Sequence, residues 1–349
     1  MSQLQTDPHA SVNESVGDRV TLDETGDVFF VESGETILSA ALKAGVNLAH
    51  DCKGGTCGAC RFNLLDGEVD YAEPPFGLMP EDVEAGIGLA CSARPVGDVT
   101  IDATVLPPVY GAPARHNALI RMAEPLCDGV TRLLLELPEP VAEDYRPGQY
   151  LDILLDGEAR RSFSLAALPD GNAVELHVRT IAGGRFTDGL LPRLAAGDRL
   201  AVELPRGIFH YRPEDFRPLL MLATGTGIAP MRAIVQSVLS EPGHPPVALY
   251  WGGRTEADLY LDAEFRRLTE TDADFTYVPV LSRASTRWSG RRGHVQEAAV
   301  ADIDDLSEVA AYLCGSPLMV TSARALLIAE GASVNHIYTD AFVFQNGKV

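Results

Sequence analysis

The chain has 349 residues, 46% of them hydrophobic, and a formal net charge of −21. That length predicts two or three domains with ordinary apolar cores. The acidity argues against a nucleic-acid partner, and no apolar run reaches the roughly 18 residues a membrane-spanning helix needs. Six cysteines are too sparse for a disulfide framework. Neither G-x-S-x-G nor H-E-x-x-H occurs, and the eight histidines are scattered, so a hydrolase is not indicated.

Residues 1–18 are polar, contain Asp7, Glu14 and Asp18, and have no apolar signal core. They read as a flexible tail on a protein of the reducing cytoplasm. A first domain is expected over 19–105, with a strand at 28–31, a helix at 36–43, strands at 62–65 and 99–101, and a turn at Asp66-Gly67. About thirteen of the net negative charges fall before Val105. An acidic module of this kind could be steered toward a basic patch on a redox partner, or the acidity could serve solubility alone.

Within this segment lie Cys52, Cys57 and Cys60, followed by Cys91. C-x4-C-x2-C with one distant cysteine is the plant-type spacing for a [2Fe–2S] cluster, with a potential near roughly −400 mV. One tight loop supplies three thiolates and a distant segment closes the cage. Gly54, Gly55, Gly58 and Ala59 let the backbone close over the inorganic sulfurs and aim N–H groups at them. Structural zinc fits less well, because only one C-x2-C pair is present.

A Pro/Gly-rich stretch at 106–114 reads as a linker. From 115 to 212 come six expected strands, at 118–122, 131–135, 149–155, 161–166, 173–179 and 199–204. Turn signals such as Pro147-Gly148 and Gly197-Asp198 punctuate them, and the pattern predicts an antiparallel β-barrel. Arg161-Ser162-Phe163-Ser164 lies on one strand, and alternation puts Arg161 and Phe163 on one face unless the strand bends. After His177-Val178-Arg179 comes Gly183-Gly184-Arg185-Phe186-Thr187. Two glycines before a Thr-led helix start could hold a pyrophosphate on backbone N–H groups; an ordinary glycine turn with a Thr cap is the plain alternative.

From 213 to 349 strands are expected at 219–223, 247–251, 275–281, 310–314 and 336–340. Helices are expected at 230–239, 262–269, 295–300 and 317–330, and this alternation predicts a doubly wound parallel sheet. Gly225-Thr226-Gly227 follows the first strand, and Pro230 suits the first helical turn. Pro230 occupies the third-glycine position, so the usual dinucleotide fingerprint is not strictly met. Gly252, Gly253 and Arg254 end a second strand, and Cys314-Gly315-Ser316-Pro317 ends a third. Three glycine-bearing strand ends suit one ligand crevice at the carboxyl edge of a parallel sheet, though Cys314 alone could be a buried small residue. Arg283, Arg287, Arg291 and Arg292 could hold a 2′-phosphate or form a solvated loop.

In this order, the motifs resemble the reductase component of multicomponent aromatic-ring-hydroxylating oxygenases, from about Val20 onward. The second and third segments resemble the ferredoxin–NADP reductase superfamily. The resemblance implies a β-grasp [2Fe–2S] ferredoxin domain, an FAD-binding β-barrel and an NAD-binding α/β domain. Electrons would pass from NADH through FAD to the cluster and on to a terminal oxygenase, Rieske-type or other, in aromatic hydrocarbon catabolism. FMN and NADPH are the less favoured cofactors. A monooxygenase or deoxysugar dehydratase is the alternative acceptor, and a non-enzymatic iron–sulfur carrier or sensor is the rival of another class.

The resemblance also implies roles for individual residues. Cys52, Cys57, Cys60 and Cys91 would ligate the cluster. Arg161 would contact the flavin phosphate side, Phe163 would pack on the flavin, and Ser164 would sit at its reacting edge. His177, Arg179 and Gly184 with Arg185, Phe186 and Thr187 would complete the flavin site. Gly225, Thr226, Gly227, Gly252, Arg254, Gly315 and Pro317 would hold the nicotinamide dinucleotide, with Cys314 beside its ring. Asp340 and Phe342 would lie close to the flavin.

Overall fold

The computed structural model describes residues 17–50, 53–55, 58–106, 113–141, 145–157 and 159–342. The described residues fall into two compact units, one within Met1–Ala49 and Cys60–Leu106, the other within His50–Ala59 and Pro107–Val349. The tail and most of the linker read from the sequence lie outside the described residues.

In the first unit, β1 (Asp18–Leu22) and β2 (Val28–Val31) form an antiparallel pair. Helix α1 (Ile37–Lys43) follows, capped by Thr36, whose hydroxyl accepts from the Ser39 N–H. It buries Ile37, Leu38, Ala40 and Ala41 against the sheet side chains Val20, Phe29 and Ile101. Next come β3 (Arg61–Asp66), β4 (Val69–Tyr71), α2 (Pro80–Glu84), β5 (Ile87–Leu89), β6 (Ala93–Pro95) and β7 (Val99–Ala103). The main sheet has the order β2-β1-β7-β3-β5, with β1 and β7 parallel and the rest antiparallel. This is the expected β-grasp sheet. The expected tail gives up Asp18 to β1, which pairs it with Val31. Strands β4, β5 and β6, three residues each, are too short for alternation to announce them.

The second unit holds two sheets. Strands β8 (Ala114–Cys127), β9 (Val130–Glu136), β10 (Tyr150–Leu154), β11 (Arg160–Ser164), β12 (Ala173–Arg179) and β13 (Arg199–Arg206) form an antiparallel sheet of order β11-β10-β13-β8-β9-β12. A bridge between Leu165 and Leu176 brings its two edges together, giving the expected barrel. Ile120, Leu133, Leu151, Ile153, Leu176 and Val202 fill it.

The other sheet is wholly parallel: β14 (Leu219–Thr224), β15 (Val247–Gly253), β16 (Phe275–Leu281), β17 (Arg291–Arg292), β18 (Ala310–Gly315) and β19 (Ile337–Ala341). Its order is β17-β16-β15-β14-β18-β19. Helices α3 (Ile228–Leu239), α4 (Asp262–Thr271), α5 (Val295–Asp302) and α6 (Pro317–Ala329) join the strands. Two apolar cores flank the sheet, one around Trp251 and Phe265 and the other around Leu222 and Leu313. The chain runs outward from β14 to β17 and then returns to β18, so the order reverses between β14 and β18. In open α/β sheets ligands bind at such a reversal, at the carboxyl ends of the strands. No helix of the described residues is long and apolar enough to cross a membrane.

The segment after β13 carries a buried histidine. The His210 Nδ1–H donates to the Tyr211 carbonyl at 2.8 Å. Burial, aided by Arg212 and Arg146, pushes the imidazole down to about 4. A depressed folded value means that the unfolded chain binds the proton first. The stabilisation is therefore present above pH 6.5 and is lost as pH falls from there toward 4. We expect urea unfolding to weaken by about 3 kcal/mol across that window. The His210→Gln variant should show a shallower pH slope; an unchanged slope would remove this account.

Candidate active site

Two candidate sites can be described, a pair of cysteine sulfurs and the carboxyl edge of the parallel sheet. In the first unit, Cys60 is buried just before β3 and Cys91 lies half-buried between β5 and β6. The Cys91 N–H donates to Cys60 Sγ at 3.4 Å. The Ala90 N–H donates to the Cys60 carbonyl at 2.9 Å, while the Ala90 carbonyl accepts from Leu38 on α1 at 2.8 Å. Helix, loop and strand thus clamp the two sulfurs together, one already met by a backbone donor. That is the polar surrounding a thiolate-bound cluster requires, so this part of the structure fits the group. Gly55 and Gly58, in the His50–Ala59 stretch that belongs to the other compact unit, have φ of 70° and 76°, conformations that favour glycine. Cys52 and Cys57 lie outside the described residues.

Spacing gave no notice of two neighbours of these sulfurs. Arg61 forms a 2.6 Å ion pair with buried Asp82, pinning α2 next to the Cys60 segment. The Tyr71 hydroxyl accepts from the Leu89 N–H at 3.4 Å. Burial, with Cys60 and Cys91 adding to it, raises the phenol above its ordinary value.

In the second unit the crevice is built by close backbone approach. A Cβ on Gly227 would lie 2.2 Å from the Cys314 carbonyl oxygen, and one on Gly315 would lie 2.3 Å from Thr224 Oγ1. The β14 and β18 loops therefore interlock as only glycine allows. Gly225 has φ of 55°, and its carbonyl accepts from buried Trp251 Nε1 at 3.0 Å. Thr226 is buried, and the segment turns straight into α3 with Pro230 in its first turn. Gly252 is confined by Thr224 and Val295. The Arg254 N–H is held by Asp258 at 2.9 Å, and Pro317 opens α6 behind its Ser316 cap. Tight glycine turns at the switch point, open on the strand ends, fit a dinucleotide.

Ser164, Cys314 and Asp340 converge where the barrel meets this sheet. The Ser164 hydroxyl donates to Asp340 Oδ2 at 3.5 Å, and Cys314 Sγ lies 3.8 Å from the same oxygen. All three are buried. Asp340 stands opposite Cys314 in the β18–β19 ladder, and the Phe342 N–H donates to the Gly315 carbonyl. The hydroxyl comes from the other sheet, 176 residues away.

Along β11, Phe163 pairs with core-facing Leu151 while Ser162 pairs with Asp152, which is buried beneath Arg160 and Arg206 rather than in the apolar core, and donates to it at 2.7 Å, so alternation holds. Arg161 is half-buried, and its guanidinium donates to the Arg160 carbonyl. The glycine loop differs from the expected Thr-capped start. A single turn of π-helix begins at Arg185, and Thr187 Oγ1 accepts from the Ile181 N–H at 3.0 Å, closing the loop on itself. Gly184 is enforced, because its Cβ would lie 2.6 Å from that hydroxyl. Asp188 takes the Gly183 N–H, and Arg185 donates to the Asp156 carbonyl. Phe186 is wholly buried, with its ring 5.5 Å from that of Phe163. Its side chain supports Phe163 from the barrel core.

His177 is also turned inward, with Nδ1 3.2 Å from the Tyr260 hydroxyl and Nε2 3.0 Å from Glu175. Arg179 reaches the crevice: its guanidinium lies 3.5 Å from where a Gly225 Cβ would stand. Of the arginine stretch, Arg292 donates to the Ala284, Ser285 and Trp288 carbonyls, and Arg291 pairs with Asp302. Arg292 thus holds its own loop, and Arg291 ties that loop to the end of α5.

Two outcomes follow. Cys60→Ser should abolish the visible and EPR signature of the cluster and transfer to cytochrome c, leaving flavin reduction by NADH in place; loss of flavin reduction with intact flavin binding would contradict this. Cys314→Ala should slow the limiting rate of flavin reduction by about tenfold with a smaller change in NADH affinity. Unchanged stopped-flow rates would remove Cys314 from the reaction.

The chain matches the 2Fe-2S iron–sulfur cluster binding domain over residues 20–96. It matches the oxidoreductase FAD-binding domain over 118–211 and the oxidoreductase NAD-binding domain over 221–325. It is 35% identical to the CDP-6-deoxy-L-threo-D-glycero-4-hexulose-3-dehydrase reductase of Yersinia pestis, over 93% of this chain and 98% of that one. It is 34% identical to the phenol 2-monooxygenase reductase component of a Pseudomonas species, over 93% and 94%. Among solved structures, a cytochrome P450 reductase from Amycolatopsis superposes with a TM-score of 0.69 at 34% identity, covering 93% of this chain and 98% of that one. The cysteine pair, the interlocked glycine loops and these full-length matches agree: the chain belongs to the family of iron–sulfur flavoprotein reductases that carry electrons from NADH through FAD to a [2Fe–2S] cluster, the family that includes oxygenase reductase components.

Proposed function

We propose that the chain supplies single electrons to the terminal component of an aromatic-ring-hydroxylating oxygenase. The observation that carries the reading is the buried meeting of Ser164, Cys314 and Asp340 between a flavin-type barrel and a nicotinamide-type crevice. The bound cofactors would supply the conversion of a two-electron donor into one-electron transfers. The protein's own groups bind, orient and exclude water.

In this reading Gly225 to Gly227 and the start of α3 hold the dinucleotide pyrophosphate, with Gly252, Arg254, Gly315 and Pro317 shaping the crevice. Arg161, Arg179 and the Gly184 loop face the flavin phosphates, and Phe163, backed by Phe186, supports the ring system. Asp340 orients the Ser164 hydroxyl, and Cys314 borders the nicotinamide. Cys52, Cys57, Cys60 and Cys91 ligate the cluster. Domain borders at 19–105, 115–212 and 213–349 belong to the same reading, as does a cytoplasmic setting. A dehydrase acting on a nucleotide-linked hexulose is the second acceptor class, favoured by the match to the Yersinia reductase.

Anaerobic titration of the purified holoprotein with NADH should bleach the flavin and then raise a rhombic [2Fe–2S] EPR signal, with NADPH much less effective. The reduced protein should then reoxidise rapidly on mixing with an oxygenase component. Rapid reoxidation by a sugar dehydrase alone would transfer the assignment to that class. A cluster reducible by dithionite but by neither nicotinamide would end the reductase reading.

A further inference from the structure

We propose that Glu175 is a positioning residue for flavin–nicotinamide reaction, acting through Arg232 and through His177 and Tyr260 to hold the barrel at a set angle to the nucleotide loop. The inference rests on the reductase reading and goes beyond it in naming what aligns the two half-sites.

The two half-sites stand on separate cores, one inside the barrel and one beside the parallel sheet. Glu175 lies on β12, and its carboxylate accepts from Arg132 at 2.6 Å, from His177 at 3.0 Å and from Arg232 at 3.2 Å. Arg132 and His177 belong to the barrel, whereas Arg232 is on α3, the helix that the Gly225–Gly227 segment opens. The same Arg232 guanidinium donates to the Ala166 carbonyl at 2.9 Å and to Glu264 on α4 at 2.6 Å. Ala166 follows Ser164 by two residues, and its N–H donates to the Glu175 carbonyl at 2.8 Å. One arginine of the nucleotide-loop helix thus grips the strand that carries Ser164.

A second route leaves the same carboxylate. Burial pushes the His177 imidazole below its ordinary value and keeps it neutral. With Nε2–H donated to Glu175, Nδ1 accepts from the Tyr260 hydroxyl, a donor kept protonated by burial. The Tyr260 ring meets Trp251 edge-on at 5.2 Å, and Trp251 Nε1 donates to the Gly225 carbonyl. Both routes run from Glu175 to the glycine loop, one through helix α3 and one through stacked rings. Arg132 bridges Glu124 and Glu175, and Arg232 bridges Glu175 and Glu264, so Glu175 is the one carboxylate shared by the barrel arginine and the α3 arginine. Removing its charge leaves each arginine with its outer carboxylate and unties the barrel from α3 at this point. Reacting atoms must be held within about 3–3.5 Å, and an offset of about 1 Å can cost on the order of 100-fold in rate.

The test uses the full chain loaded with FAD and cluster. Glu175→Gln keeps the volume and removes the charge. The limiting rate of flavin bleaching by NADH should fall roughly 10–100-fold, with flavin content retained and half-saturating NADH moved by less than about threefold. Amide hydrogen exchange, followed without nicotinamide, should quicken across 225–239 and 165–168. Tyr260→Phe, which loses only one hydroxyl, should shift both readouts in the same direction by less. Unchanged limiting rates in both variants, even with a lowered melting temperature, would reduce the network to a structural role and overturn the proposal. If Glu175→Gln fails to retain FAD, Tyr260→Phe decides alone on the same criteria. If NADH fails to bleach the unmodified protein, the reductase reading falls; exchange left unchanged in a variant that retains FAD overturns the coupling itself.

Discussion

The reductase module depends on one close approach: the Gly227 backbone lies against the Cys314 carbonyl with no room for a side chain. Strand order reverses between β14 and β18, so these loops diverge in the chain but must meet in space. Their interlocking sets the floor of the crevice and places Cys314 beside Asp340 on the next strand. Thr224 reaches Gly315 from the other side, and Trp251 fixes the Gly225 carbonyl from below. Each element of the nicotinamide half-site is thereby referred to one rigid sheet.

The flavin half-site stands on the barrel core, and polar contacts tie it to that sheet. Ser164 bonds to Asp340, and Arg232 bonds to both Glu175 and Ala166. Buried polar groups are costly unless satisfied, and a satisfied network tolerates only the geometry that satisfies it. Burying paired charge adds little to stability, whereas removing one partner of such a pair is costly. The Glu175 carboxyl illustrates the balance: burial raises it, but His177 and Arg132 outweigh burial and hold it at about 2. The hub thus stays ionised across the physiological range.

Much of this was legible in the chain. Every strand expected for the barrel and the parallel sheet is present, because alternation and turn residues act over a few neighbours. The cysteine spacing and the glycine-bearing strand ends were equally plain, since each imposes a local backbone demand. Three-residue strands and α2 escaped notice because so short a run carries no period. The Gly183–Thr187 loop was recognised as special but for an incomplete reason. Thr187 closes the loop onto Ile181, a bond across the turn that a helix-cap pattern does not describe.

By itself the sequence determined the order of the modules, the cysteine spacing and the glycine turns, all legible without knowing the three-dimensional contacts. Tertiary structure decided which way the polar side chains face. His177, which the resemblance assigns to the flavin site, is buried with its ring nitrogens on Glu175 and Tyr260. Phe186, which the resemblance places in the flavin-binding loop, is turned into the barrel core by the π-turn. Ser164 and Asp340, and Glu175 and Arg232, become partners only when two independently formed cores dock. No periodicity encodes that event, because it depends on the shapes of both surfaces at once.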